Sequence, residues 1–301
     1  MMGKLGGIVL ILMLLMWCCN TRKTVVEFNL IGSSGIQPEL MVNGEEREIE
    51  VDDSGYAKLM LTGDERGYAT LKYGKDRLPL FIEGGTTLQI YIYGDHAKGN
   101  IRFEGDGSPK NSYLNSQVMK NLSVDYELNA PEFLGQLKDL IQEQFHYLDT
   151  MGFDVAFTEM ERNRIKFSTY KALENYPLYH AWSTGNTDYQ PDTAYLSCIK
   201  KLIKEDEKLL VLKEYQEGMA SLVSLISTYH MKELDAYKQV MAQFDYVIHH
   251  LTNETLVEFL IDHYAYAYLL GVGIDEHIDD VLRVYDFYVK DPALRKRFQE
   301  I

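Results

Sequence analysis

Alternation of apolar and polar residues marks the first third of the chain. Val26, Phe28 and Leu30 alternate with Glu27 and Asn29, the two-residue period of a strand with one buried face. Asn43-Gly44 separates Leu40-Met41-Val42 from Glu46-Arg47-Glu48-Ile49, which predicts a tight hairpin. Ile49 and Val51 continue its second strand. Asp52-Asp53-Ser54-Gly55 turns the chain into a strand at Tyr56–Leu61, and Gly63 to Gly67 turns it into Tyr68–Tyr73. Leu78–Ile82, Thr86–Tyr93 and Asn100–Phe103 follow, with glycines between them. Short strands at this spacing predict an antiparallel sandwich or barrel. No helical period interrupts them, which argues against parallel pairing.

The period changes at Ser108-Pro109. Serine at an N-cap with proline at the first helical position is a helix start, and a helical pattern continues to Ile301. Phe133, Leu137, Leu140, Ile141, Gln144, Phe145 and Leu148 fall on one stripe of a helix. Pro177 and Pro191 punctuate an aromatic stretch that holds Tyr170, Tyr176, Tyr179 and Trp182. Further helices are expected over Asp192–Ile203, Leu212–Tyr229, Lys232–His250, Glu254–Leu270 and Ile274–Lys290, and a terminal helix opens at Asp291-Pro292. The class is α+β: an antiparallel β module over 19–107, then an all-helical domain over 108–301. No fixed-period repeat marks a solenoid.

Residues 1–18 read as a signal segment. Lys4 precedes an uncharged run from Leu5 to Cys19, shorter than the roughly 20 apolar residues of a membrane span. A secretory signal cut by the usual peptidase ends in small residues. Met16, Trp17, Asn20 and Thr21 offer none. A lipid-modified cysteine at the cut fits better. Cys19 is chosen over Cys18, because Cys18 would leave the bulky Trp17 before the cut. The expected location is the cell envelope, anchored to the membrane by lipid and facing the periplasm. The residues after Cys19 are Asn-Thr-Arg-Lys and hold no acidic run of the kind expected on surface-displayed lipoproteins.

Composition bounds the rest. A formal net charge of −15 argues against nucleic acid as a partner, since phosphates demand clustered Lys and Arg. A hydrophobic content of 46% with 12% aromatic residues predicts a packed fold and excludes disorder. There are three cysteines. With Cys19 acylated, Cys198 has no thiol partner for redox chemistry. It shares an apolar face with Ala194 and Leu202 at four-residue spacing and with Tyr195 at three, so a buried, inert thiol is expected.

Four further groups of residues invite a chemical reading. Gly105-Asp106-Gly107-Ser108-Pro109-Lys110 begins like a dinucleotide loop, but Lys110 stands where the third glycine belongs and the preceding strands read as antiparallel. A glycine turn into a helix is expected instead. Asp275-Glu276-His277-Ile278-Asp279-Asp280 gathers metal-ligand types, yet acids at a helix start offset its dipole. His249-His250 and His263 lack zinc spacing, and the 22 tyrosines are expected to bury a ring and leave a hydroxyl wet. No G-x-S-x-G elbow occurs. Catalytic, metal and cofactor-binding residues are therefore assigned nowhere, and no cofactor is expected.

The order of features resembles the TlpA/ResA-like thiol–disulfide oxidoreductase lipoproteins of Bacteroidetes. The residues that carry it are Phe81-Ile82-Glu83-Gly84-Gly85 and Ile101-Arg102-Phe103-Glu104-Gly105 running into Asn111-Ser112-Tyr113-Leu114. Arg164-Ile165-Lys166-Phe167, Tyr176-Pro177 and the run 281–292 continue it. The resemblance implies a lipoprotein signal, a β-rich module, a helical middle and a C-terminal thioredoxin-like domain, in an envelope redox context with a protein partner. No C-x-x-C occurs in the chain, which stops at Ile301 where that domain would begin. The expected function is a lipid-anchored, non-catalytic binding or scaffold module. The alternative is one component of an active oxidoreductase whose thioredoxin-like domain is encoded separately or downstream.

Overall fold

The computed structural model describes residues 23–42, 45–62, 66–116, 123–231 and 235–299. Cys18, Cys19 and the apolar run before them lie outside the described residues, as do the Asn43-Gly44 turn, Gly63, 232–234 and Ile301. The chain forms two compact units, divided between Asn121 and Leu122. The class is α+β.

The first unit holds β1 (Thr24–Ile31), β2 (Pro38–Val42), β3 (Glu45–Glu48), β4 (Tyr56–Leu61), β5 (Gly67–Tyr73), β6 (Asp76–Ile82), β7 (Thr87–Tyr93) and β8 (Ile101–Gly105). They form two four-stranded sheets, ordered β4-β1-β7-β8 and β3-β2-β5-β6. Burial alternates along the strands as their sequences do. Val26, Phe28 and Ile90 from one sheet share a core with Leu40, Leu71 and Leu80 from the other. β2 and β3 pair antiparallel with Val42 opposite Glu45, on either side of the expected turn.

One pairing departs from the expectation. β1 runs parallel to β7, with Phe28 opposite Ile90. A parallel pair needs a long crossover. Here strands β2 to β6 are that crossover, so no intervening helix is required.

The helix α1 (Ser108–Leu114) belongs to this unit. Its N-cap is Gly107 rather than Ser108, and no side chain caps it. The cause lies one turn earlier. Gly105 has φ +84°, and a Cβ there would overlap the Thr87 carbonyl oxygen. The tight turn carries the chain into the helix one residue sooner. α1 then seals the edge of β6. The buried Asn111 accepts from the Phe81 N–H at 2.8 Å and donates to the Phe81 carbonyl at 2.9 Å. Asn115 donates to the Pro79 carbonyl at 2.8 Å.

The second unit is helical: α2 (Ala130–Thr150), α3 (Val155–Ser168), α4 (Tyr170–Thr184), α5 (Thr193–Lys200), α6 (Lys213–Thr228), α7 (Ala236–His250), α8 (Glu254–Val272), α9 (Ile278–Tyr288) and α10 (Pro292–Gln299). Asn129 and Glu132 form a reciprocal capping box on α2, and Asp154, Asp192, Asp235 and Asn253 cap α3, α5, α7 and α8. Asp and Asn are strong N-caps because their oxygens take up orphan helix amides. The α2 stripe buries Phe133, Leu137, Gln144, Phe145 and Leu148 as its spacing predicts, with Leu140 and Ile141 half-buried.

Pro177 does not end a helix; α4 runs through it. Proline removes the bond to the carbonyl four residues back, here that of Leu173. The buried Tyr195 hydroxyl on α5 donates to that carbonyl at 2.8 Å. At the far end, Phe298 of α10 is buried and stacks on Tyr285 of α9, ring centres 4.1 Å apart. Arg297 bonds the fully buried Asp262 of α8.

Candidate binding cleft

A cleft of about 630 Å³ opens among α4, α6, α7 and α8, within the range of roughly 300–1,000 Å³ usual for small-molecule sites. It exists because small side chains sit where larger ones would fill the space. Ala220, Ser221 and Ser224 of α6 face Ala236 of α7 and Ala267 and Gly271 of α8 across it. Gly218 draws α6 close to the α3–α4 junction, where a Cβ would stand 3.0 Å from the Phe167 carbonyl oxygen.

Polar groups gather on its walls. Lys171 and Glu174 of α4 pair with each other, three residues apart. Glu217 of α6 lies 3.2 Å from Lys213. Gln243 of α7 donates to the Ser224 hydroxyl at 3.2 Å. Tyr264 of α8 is committed to the Ala220 carbonyl at 2.6 Å, and burial raises its phenol well above the ordinary value. His263 of α8 lines the same cleft. Burial first, then the Arg297 charge, holds its imidazole below the ordinary value of 6.5. Ser221 keeps only 5% of its surface exposed.

The other residues singled out in the sequence lie elsewhere. Cys198 is exposed, not buried as its spacing suggested. α5 instead buries Tyr195, Leu196 and Ile199, because the Tyr195 ring must reach Leu173. That rotates Ala194 and Cys198 outward. Gly105–Lys110 is a turn held by Gly105, and Lys110 pairs with Glu83 at 3.0 Å. Asp279 and Asp280 sit in the first turn of α9. Asp280 accepts from Tyr237 at 3.0 Å and Asp275 from Tyr268 at 2.7 Å. Among the described residues no three His, Cys, Asp or Glu side chains converge on a metal position. His249 and His250 end α7 away from the cleft lining, so only His263 of the three histidines contributes.

The aromatic stretch divides. Tyr176 is fully buried, stacks on Phe133 at 4.3 Å and donates to the Leu128 carbonyl at 2.9 Å. Trp182 is 81% exposed. A second buried polar group went unread in the sequence: Arg164 bonds Glu161 at 2.8 and 2.9 Å and Glu214 at 3.1 Å, tying α3 to α6. Glu161 and Arg164 are three residues apart on one helix face, which is the signal that was present.

Compared with protein-family models, with curated proteins and with solved structures, the chain matches none of them.

Proposed function

We propose that this chain is a lipid-anchored protein of the cell envelope, facing the periplasm, whose helical unit is a non-catalytic binding module. The observation that carries the binding role is the cleft on α6 and α8, with hydrogen-bonding groups on its walls and small residues across it. The anchoring role rests on sequence: Cys19 closes an uncharged run that has no small-residue cleavage site. More than one acyl chain there would hold firmly, each buried CH₂ contributing about 0.8 kcal/mol. The likeness to TlpA/ResA-like lipoproteins supports an envelope partner with redox chemistry. The chain itself has no C-x-x-C, and Cys198 is its free cysteine among the described residues.

Cells expressing the wild type and Cys19→Ala are labelled with a radioactive fatty acid and fractionated. The wild type is expected to carry label and sediment with membranes, and the variant to lose both. Label retained in Cys19→Ala overturns the anchor. In a separate assay, reduction of insulin disulfides by the purified chain that disappears in Cys198→Ser overturns the non-catalytic role.

A further inference from the structure

We infer that the cleft takes a neutral, hydroxyl-rich small molecule of the chemistry of a mono- or disaccharide; this rests on the binding-module reading above. Three side chains on its walls make no hydrogen bond to another described residue. Ser221 is 5% exposed, lines the cleft, and has no hydrogen-bond partner among the described residues. The residue is covered by its neighbours while its hydroxyl still opens to the cleft, where a ligand can reach it. His263 and the side-chain amide of Gln239 are also without a hydrogen-bond partner among the described residues, and both line the same space.

The chemistry of these groups narrows the ligand. A hydroxyl both donates and accepts; so does a neutral imidazole, through its two nitrogens, and so does a carboxamide. Burial favours that neutral form of His263. A wall of groups that donate and accept at once matches a molecule whose own groups do the same, and hydroxyls are that group.

The charges argue against an ion. Lys171 is engaged by Glu174, Glu217 by Lys213, and Arg297, whose charge reaches His263, by Asp262. Lys171, Glu174 and Glu217 each already have an opposite charge within reach, so a charged ligand would have to compete with a standing ion pair.

The test titrates the full chain, held in mild detergent, with sugars of one ring but different charge. Glucose and cellobiose are the neutral probes, glucuronate the anionic one and glucosamine the cationic one. Calorimetry is expected to show saturable binding of a neutral probe, tighter than glucuronate and glucosamine. Ser221→Ala should weaken it about tenfold, as the loss of one buried hydrogen bond would. Ala267→Trp, an exposed position that lines the cleft, should abolish it with the melting temperature unchanged. Binding of a charged probe alone overturns the ligand class; if Ala267→Trp removes that binding, the binding-module reading stands. When no sugar binds, the class is also overturned, and a nuclear magnetic resonance screen of mixed fragments decides the rest. Fragment hits lost in Ala267→Trp keep the binding-module reading, and an absence of hits means that water alone occupies the cleft and sinks both.

Discussion

Pro177 lacks the amide that would bond Leu173, and Tyr195 supplies the missing donor from another helix. Tyr195→Phe keeps the ring and strands the buried carbonyl. An unsatisfied buried acceptor costs about 1–3 kcal/mol, so urea denaturation of Tyr195→Phe should show that loss at unchanged slope. A change below a few tenths of a kcal/mol would show that the carbonyl finds another donor. His263 supports a second prediction. Its folded value is depressed, so the unfolded chain binds the extra proton. The stability it contributes is fully present above its ordinary value of 6.5 and is lost as pH falls through the folded value. Lys171 and Glu174 of α4, Glu217 of α6 and Arg297 of α10 face it, and burial is the largest influence on it. Denaturation midpoints measured from about pH 7.5 down to about pH 5 should fall less steeply in His263→Gln than in the wild type. Parallel slopes would remove His263 as a source of acid sensitivity.

At the scale of elements, α1 acts as a side-chain strand on the edge of β6. An exposed edge is a template for unwanted pairing. Asn111 meets it with one acceptor and one donor on the same residue, Phe81. Asn111→Leu preserves approximate size and removes both hydrogen bonds to Phe81. The cost is expected at about 1–3 kcal/mol, given roughly 0.5–1.5 kcal/mol for each hydrogen bond lost. Hydrogen exchange at the Phe81 amide should accelerate in the variant while exchange in β1 follows only the global change. Unaltered protection at Phe81 would mean that α1 covers the edge without bonding it.

At the scale of the molecule, acidic charge sets what the protein meets. With 45 acidic against 30 basic residues, a phosphate backbone is repelled. Lys171, which lines the cleft, is paired with Glu174 as well. Fluorescence anisotropy should therefore detect no association with duplex DNA near physiological salt. Saturable binding that weakens steeply with salt would reveal a basic surface hidden by the net charge.

Periodicity alone was enough for the α+β class, the strand faces and most helices, because a two-residue or 3.6-residue repeat is a local property. Val26, Phe28 and Leu30 point inward as their spacing requires, and so does the α2 stripe. Three readings needed the tertiary structure. The parallel partner of β1 lies about 60 residues away in β7, and no local pattern encodes which distant strand completes a sheet. Cys198 turned outward because one long-range bond, Tyr195 to Leu173, chose between two adjacent faces of a short helix. The cleft left no periodic trace at all. Its small residues, Ala220, Ser221 and Ala267, read as ordinary helix positions until α6 and α8 each pack against α7. Composition decided that the chain folds and carries negative charge, whereas packing alone decides which polar side chains, Ser221 among them, come to line the cleft.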